Sequence, residues 1–257
     1  MSTAALGAFG LLLGLVAGSF LNVVVYRVPR GMSIVTPRSA CPGCGTPIRP
    51  RDNVPVLSWL LLRARCRECG TGISVRYPLV EAGTGAVFAW LAVLVGAAAV
   101  LPAYWVMAAT VIALALVDLE TKRLPNAILY PGGAAAILLL AGGAALDGSL
   151  VDLGRALAGG AGAFALFLLI ALAARGGFGF GDVKLSLLLG VFLAYRSWGT
   201  LLVGVFAAFL IGGVAALALL AAGRVTRRAA LPFGPAMVAG AFLALAVGES
   251  VASWYVG

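Results

Sequence analysis

Eight apolar segments occupy most of this chain, and they limit its possible folds more than any other feature. A helix that spans a bilayer needs about 20 predominantly apolar residues, with a range of roughly 17–25. Six of the segments fall in this range and two are shorter. They cover residues 5–25, 79–101, 103–117, 127–146, 154–174, 184–195, 199–222 and 232–248. We therefore predict an all-α polytopic membrane protein with about eight transmembrane helices.

The composition agrees with this prediction. The chain is 62% hydrophobic and only 11% charged, whereas an ordinary soluble domain has about 25% charged residues. Its net charge of +9 would suggest a nucleic-acid partner in a soluble protein. Here the charge collects in loops between apolar segments, so we expect membrane lipid and no nucleic acid as a partner.

The basic residues predict the topology. Loop 26–78 holds nine arginines, and cytoplasmic loops of membrane proteins collect Lys and Arg. Because successive spans cross the membrane in opposite directions, segments 118–126, 175–183 and 223–231 are predicted on the cytoplasmic side as well. Of the 18 basic residues, only Arg155 and Arg196 then lie outside, and both termini are outside.

The first apolar segment is interpreted as a retained helix. The residues before it carry no charge, and residues 22–30 continue from it into the basic loop. A cleavable signal peptide, for which Ala17-Gly18-Ser19 would be the cleavage site, is the alternative.

All four cysteines lie in the cytoplasmic loop, as Cys41-Pro-Gly-Cys44 and Cys66-Arg-Glu-Cys69, with 21 residues between the pairs. Two Cys-x-x-Cys knuckles at this separation predict a zinc-ribbon-like module in which four thiolates hold one Zn²⁺. Such a site is structural, because four thiolates leave no open position on the metal. A pair of disulfides is the alternative, which a reducing cytoplasm disfavours. A glycine follows each knuckle, where a positive φ is expected.

Two aspartates are the candidate catalytic residues. Asp118 closes one apolar segment and Asp182 opens another, and ionisable residues at a membrane edge are costly and usually functional. Two carboxyls that meet can share a proton and activate water, as aspartyl proteases do. The chain has no histidine, which excludes Ser-His and Cys-His catalysis. The alternatives are a helix N-cap role for Asp182 and a proton relay in a transporter.

Two further groups of residues are candidates for the site. Gly177, Gly179 and Gly181 precede Asp182 and predict a loop that admits an extended substrate backbone. A phosphate-binding loop is the weaker interpretation, because no strand precedes it. Glu81 lies near the start of the second apolar segment. It is either a carboxylate favoured by a helix dipole or a polar contact in a binding cleft.

The segment Gly179-Phe180-Gly181-Asp182, continued by Val183-Lys184-Leu185, resembles the signature of type IV prepilin peptidases. These are the bifunctional leader peptidase/N-methyltransferases among the GxGD-type aspartyl proteases. The resemblance covers essentially the whole chain. Its other parts are residues 18–29, the tetracysteine loop followed by 76–81, Asp118 with Leu124-Pro125-Asn126, and Pro232-Phe233-Gly234-Pro235. The Gly-x-Gly-Asp motif alone is also found in presenilin-like proteases.

This resemblance implies an enzyme of the bacterial inner membrane that cleaves prepilins and pseudopilins on the cytoplasmic side. It implies Asp118 and Asp182 as the catalytic pair. It also implies S-adenosylmethionine-dependent methylation of the new N-terminus, for which Glu81 and the cytoplasmic loop are the candidate region. Ala64 stands where relatives commonly have glycine, two residues before Cys66, a departure that concerns methyl transfer more than proteolysis.

The predicted domain organisation has three parts. Residues 1–25 form the first transmembrane helix, residues 26–78 the tetracysteine zinc module, and residues 79–257 a polytopic peptidase domain with seven further spans.

Overall fold

The computed structural model describes residues 2–174, 179–226 and 231–256. In these residues the chain forms nine α-helices. They are α1 (Thr3–Arg27), α2 (Leu57–Leu61), α3 (Arg76–Val95), α4 (Leu101–Thr121), α5 (Asn126–Leu146), α6 (Leu150–Ala173), α7 (Phe180–Arg196), α8 (Trp198–Ala221) and α9 (Gly234–Val256). Seven of the described helices, all except α2 and α7, are long and apolar enough to cross a membrane. The predicted all-α fold class is confirmed.

Several of the predicted segment boundaries differ from the helices. The second segment, 79–101, runs past the end of α3, because Gly96 has a φ of +72° and interrupts the helix. The eighth ends before α9 does, since α9 continues to Val256. The short third and sixth segments are longer as helices, in the directions that the sequence leaves open: α4 continues through Asp118, and α7 starts at Phe180.

The chain divides into two compact units, one up to Ala97 and the other from Ala98 onward. The first contains α1, the cysteine loop and α3, and the second contains α4 to α9. The predicted three-part organisation, with boundaries after residues 25 and 78, stays a prediction.

In the first unit, α1 packs along α3 through a row of glycines. Gly10, Gly14 and Gly18 lie four residues apart on one face of α1 and are buried. A methyl group added at Gly14 would lie 2.7 Å from both the Gly85 Cα and the Thr84 carbonyl oxygen. Small residues at this spacing let two apolar helices approach closely, and this approach supplies the van der Waals contact that replaces hydrophobic driving force in lipid.

Gly14→Ala is therefore expected to destabilise the protein. Overpacking of this kind typically costs about 1–3 kcal/mol, and the thermal midpoint in detergent measures it. The matched control is Gly83→Ala in α3, where an added methyl group meets nothing within 4 Å and helix propensity favours alanine by about 1 kcal/mol. Equal midpoints for the two variants would contradict this packing.

In the second unit, α7 lies in the middle of the bundle. It packs closely against α6 and also contacts α5, α8 and α9. Residues 188–194 of α7 are all buried, so neighbouring helices cover every face of the helix. A methyl group at Gly190 would lie 3.0 Å from the Gly160 Cα, which again shows packing through small residues. The first turn of α7 is therefore more accessible from outside the bundle than the middle of the helix.

The far end of α7 is fixed by Arg155 of α6. Its Nε donates to the Ala194 carbonyl at 2.7 Å, and its guanidinium also donates to the carbonyls of Tyr195 and Arg196. These carbonyls belong to the last turn of the helix, where intrahelical donors run out. Arg155 thereby holds α7 in place at the end opposite Asp182.

Candidate functional site

Asp118 lies near the end of α4 and is only 4% exposed. Its Oδ2 accepts a hydrogen bond from the Gly234 N–H at 3.1 Å. Helix α4 ends one turn later, where Lys122 adopts a left-handed φ of +54°. The carboxyl group is thus buried beside a backbone donor from the first residue of α9.

Asp182 lies in the first turn of α7 and is partly exposed. The N-cap residue of this helix is Gly179, whose backbone is extended. Asp182 donates its own N–H to the Gly179 carbonyl at 3.0 Å. The N-cap residue is therefore Gly179 and not Asp182, although the Asp182 carboxyl group accepts a hydrogen bond from the backbone of Gly179.

The two aspartates lie at the same end of the second unit, close enough for the charge of Asp118 to act on the Asp182 carboxyl group. Leu124, in the connection between α4 and α5, lies beside one glycine next to each aspartate. A methyl group at Gly181 would come within 3.0 Å of the Leu124 Cβ, and one at Gly234 within 3.4 Å of the Leu124 Cδ2. The starts of α7 and α9 thus converge on Leu124 next to the end of α4.

The glycines before Asp182 leave room for its carboxyl group. A methyl group at Gly179 would lie 3.1 Å from the Asp182 Oδ2. Gly181 faces Leu124, as described above, and Gly179 is exposed. Gly177, the third predicted member of the substrate loop, lies outside the described residues.

Lys184 and Asn126 connect the starts of α7 and α5. The Lys184 ammonium donates to the Asn126 Oδ1 at 2.7 Å. It also lies 5.0 Å from the centre of the Phe180 ring and 5.4 Å from that of Tyr130. This contact fixes the first turn of α7, and with it Asp182, against the neighbouring helix.

Phe233 positions the start of α9. Its ring lies 5.2 Å from that of Phe209 in α8 and 6.4 Å from that of Phe167 in α6. Gly234, which follows Phe233, donates to Asp118. The sequence does not predict Gly234 or Leu124 as site residues. Both lie in segments that resemble the family, 232–235 and 124–126, and this was the feature that could have indicated them.

The four cysteine sulfurs form one cluster in the first unit. All four lie within 4.8 Å of one another, and Cys41 and Cys69 are 3.7 Å apart. A tetrahedral site with Zn–S bonds of about 2.3 Å places its sulfurs about 3.8 Å apart, so this donor set fits a metal ion. The four thiols, all within residues 2–174, are free. The alternative of two disulfides is not what the structure has.

The two knuckles share one local geometry. Gly45 and Gly70 have φ values of +72° and +71°, which confirms the expected left-handed turns. The Thr71 hydroxyl lies 3.1 Å from the Cys69 Sγ. This hydrogen bond, together with one from the Thr71 backbone, lowers the pKa of Cys69 to about 6, whereas burial and the side chains of two neighbouring cysteines raise the pKa of Cys41 to about 11. A thiolate is the form of cysteine that binds metal.

Glu81 lies in the second turn of α3 and is 8% exposed. Its Oε2 accepts the Val56 N–H at 2.7 Å, and Val56 has an unusual φ of +61° for a β-branched residue. The helix dipole acts mainly within the first turn, so this contact, and not the helix start, accounts for the buried carboxylate. Glu81 ties the segment between the knuckles to α3.

Comparison with known proteins assigns the family. Residues 12–95 match the bacterial peptidase A24 N-terminal domain, and residues 105–217 match the type IV leader peptidase family. A relative from Burkholderia pseudomallei (strain 1026b) is 35% identical over 264 residues, covering 91% of this chain and 82% of its own. The chain belongs to the type IV leader peptidase family.

Two other relatives extend the match over nearly the full length. The one from Bacillus subtilis (strain 168) is 34% identical and covers 95% of both chains. The one from Neisseria gonorrhoeae is 34% identical and covers 93% of this chain and 90% of its own. All three relatives are named prepilin leader peptidase/N-methyltransferase. No solved structure matches. With its apolar helices, this member of the family is a polytopic membrane protein.

Proposed function

We propose that this chain is an aspartyl endopeptidase that removes the leader peptide from type IV prepilins and pseudopilins. The observation that carries the proposal is that Asp118 and Asp182 lie at one end of the second unit. At this end Gly181 and Gly234 both face Leu124. The names of the relatives support the substrate class, and the absence of histidine leaves the carboxyl pair as the acid–base system.

In this mechanism the two carboxyl groups share one proton. The ionised carboxylate deprotonates a water molecule, which attacks the carbonyl carbon of the scissile peptide bond, and the protonated carboxyl polarises the carbonyl oxygen. The resulting tetrahedral intermediate collapses when the leaving amine takes a proton. Because the two groups titrate as a pair, the roles of acid and base belong to the pair. Gly179 and Gly181 admit the substrate backbone beside Asp182, and the same role for Gly177 stays a prediction.

We place the site at the cytoplasmic face of the bacterial inner membrane. The loops that flank the aspartates are on the side to which the positive-inside rule assigns all but two of the 18 basic residues. A prepilin has a short basic leader followed by an apolar helix. A site at the membrane edge lets that helix stay in lipid while the leader is removed.

We propose that Cys41, Cys44, Cys66 and Cys69 hold one Zn²⁺. The sulfur spacing and the softness of four thiolates support zinc. The bound ion would join the two knuckles and stabilise the loop, with no part in hydrolysis. The peptidase reaction is carried by the aspartates alone.

We also propose that the enzyme methylates the new N-terminal amine with S-adenosylmethionine as the methyl donor. When bound, S-adenosylmethionine would supply the methyl group from its sulfonium sulfur, and the amine nitrogen that accepts it would lose a proton. The candidate binding region for the methyl donor is loop 26–78 and its junction with Glu81. The aspartyl pair lies in the other unit, and this loop is the largest hydrophilic segment.

Glu81→Gln is expected to lower methylation while leaving cleavage near wild type. Glutamine keeps an oxygen that accepts the Val56 N–H, so the loop stays in place while the charge that would orient the amine is lost. Mass spectrometry of processed pilin from cells gives the methylated fraction. The matched control is Glu68→Gln in the second knuckle, where the exposed pair with Arg49 contributes little to stability. Unchanged methylation in Glu81→Gln would remove Glu81 from this role.

Gly234→Ala is expected to lower cleavage by roughly tenfold to a hundredfold, because misplacement of a catalytic group by about 1 Å can cost about 10²-fold. The added methyl group would lie 2.8 Å from the Asp118 Oδ2 and must displace the carboxyl group. Initial rates in detergent measure the effect. The control is Gly213→Ala in α8, where the added methyl group meets nothing within 4 Å. Wild-type rates in Gly234→Ala would show that the position of Asp118 is not critical.

One experiment separates the proposal from its rivals. Purified protein in proteoliposomes is given a prepilin peptide, a bare apolar helix without a leader, and a proton gradient. A leader peptidase cuts only the first. A presenilin-like protease cuts within the apolar helix, and a proton-coupled transporter dissipates the gradient without cleavage.

A further inference from the structure

The short helix α2 exposes a row of leucines beside the cysteine module. Leu57, Leu60 and Leu61 are 58%, 56% and 82% exposed. Residues three and four apart share one face of a helix, so these side chains form a single apolar surface. We call these three leucines the α2 surface.

The opposite face of α2 is fixed to the module. Ser58 is buried, and its hydroxyl donates to the Arg51 carbonyl at 3.0 Å and accepts the Val54 N–H at 2.9 Å. The Trp59 indole donates to the Ile73 carbonyl at 3.0 Å. The polar and aromatic side chains of α2 thus face inward and its leucines face outward, which is the reverse of the usual arrangement for a water-exposed helix.

The hydrogen bond between Val56 and Glu81 determines where the start of α2 lies along the axis of α3. Glu81 is the sixth residue of α3, about 7.5 Å from the start of the helix at 1.5 Å per residue. Val56, which donates to Glu81, directly precedes the α2 surface. Helix α3 is a candidate membrane span, so this contact holds the start of α2 beside the first two turns of that span.

The surroundings of the α2 surface fit lipid. Tyr77 and Leu79, in the first turn of α3, are also exposed, at 48% and 63%, so the start of the span presents apolar and aromatic side chains as well. Arg63 and Arg65 follow α2 and are both exposed. A row of apolar side chains followed by cations is the pattern of a segment that lies in the interface of an anionic membrane.

We propose that the α2 surface is a membrane-interface anchor, with its leucines at the headgroup–acyl boundary and Arg63 and Arg65 at anionic headgroups. The anchor holds the cysteine module against the bilayer. Its occupant is lipid, and neither a partner protein nor a second copy of the chain is needed.

The test uses the full chain in nanodiscs of mixed phosphatidylglycerol and phosphatidylcholine. Leu61 is replaced by the photo-crosslinker p-benzoylphenylalanine, and Glu68 is replaced in the same way as the exposed control in the second knuckle. We expect lipid adducts at position 61 to exceed those at position 68 by tenfold or more in mass spectra. Crosslinks from position 61 to protein, or equal lipid yields at the two positions, would overturn the proposal. The same substitution at Leu60 repeats the measurement if the first variant is poorly folded.

A second comparison tests the cationic part. With the crosslinker at position 61, the lipid adduct yield should be higher in nanodiscs containing phosphatidylglycerol than in phosphatidylcholine alone. Arg63→Gln combined with Arg65→Gln should remove that difference. A difference that survives both substitutions would exclude these arginines from headgroup binding.

Discussion

Replacing Cys41 and Cys44 together by serine is expected to reduce the metal content from about one ion per chain to almost none. Four sulfurs within 4.8 Å form one site, and two thiolates alone leave a divalent ion half coordinated. Structural zinc contributes folding free energy directly. The thermal midpoint of the protein should therefore fall, while the cleavage rate per folded molecule changes much less.

Elemental analysis and thermal unfolding in detergent measure this prediction. Pro42→Ala is the matched control, since it alters the same knuckle without removing a sulfur. Wild-type protein without metal and with oxidised cysteines in freshly lysed cells would contradict the zinc site.

Asp118→Asn and Asp182→Asn are each expected to lower leader cleavage by about 10³-fold or more, because general acid–base groups contribute about 10²–10⁴-fold each. Asparagine keeps the size of the side chain but can neither take nor give the shared proton. Co-expression with a prepilin and immunoblotting of its processed form in cells measure the loss at matched enzyme levels in the membrane.

The control for these variants is Asp147→Asn. Asp147 follows α5, and its Oδ1 accepts the Ala99 N–H at 3.2 Å. This carboxylate belongs to the end of the bundle opposite the candidate site. Loss of cleavage in Asp147→Asn as large as in the two site variants would mean that any aspartate change disrupts the fold.

Patterns that are local in sequence predicted most of the fold. Apolar segments of membrane-spanning length predicted the long helices, and the spacing of the Cys-x-x-Cys knuckles predicted the sulfur cluster. Both patterns can be seen within a short stretch of sequence. The end of α3 was predicted wrongly, because the residues on both sides of Gly96 are apolar and the sequence shows no break there. Helix α7 is shorter than the other long helices and is mostly buried between its neighbours.

The contacts made between distant segments could not be predicted in the same way. Gly234 donates to Asp118 across 116 positions of sequence, and no periodicity reports such a pairing. The contact of Glu81 with Val56 is of the same kind. The charge pattern predicts that the two aspartates share one face of the membrane. In the structure the helix starts that hold Asp182 and Gly234, the donor to Asp118, both face Leu124.

Ala64, which the resemblance marks as a departure from the family pattern, has a φ of +59°. This left-handed conformation costs a non-glycine residue about 1–2 kcal/mol, and glycine adopts it without that cost. The alanine therefore places strain just before the second knuckle. Two backbone hydrogen bonds stabilise the turn despite this strain: the Cys66 N–H donates to the Thr71 carbonyl, and the Ile73 N–H donates to the Ala64 carbonyl.

The central claim is that Asp118 and Asp182 form one peptidase site that acts at the leader junction. Its most direct test gives purified wild-type protein and the two single asparagine variants a synthetic prepilin, and maps the products by mass spectrometry. We expect the wild type to cut one bond, between the basic leader and the apolar helix, and neither variant to cut it. Substantial cleavage of that bond by either purified variant would contradict the claim.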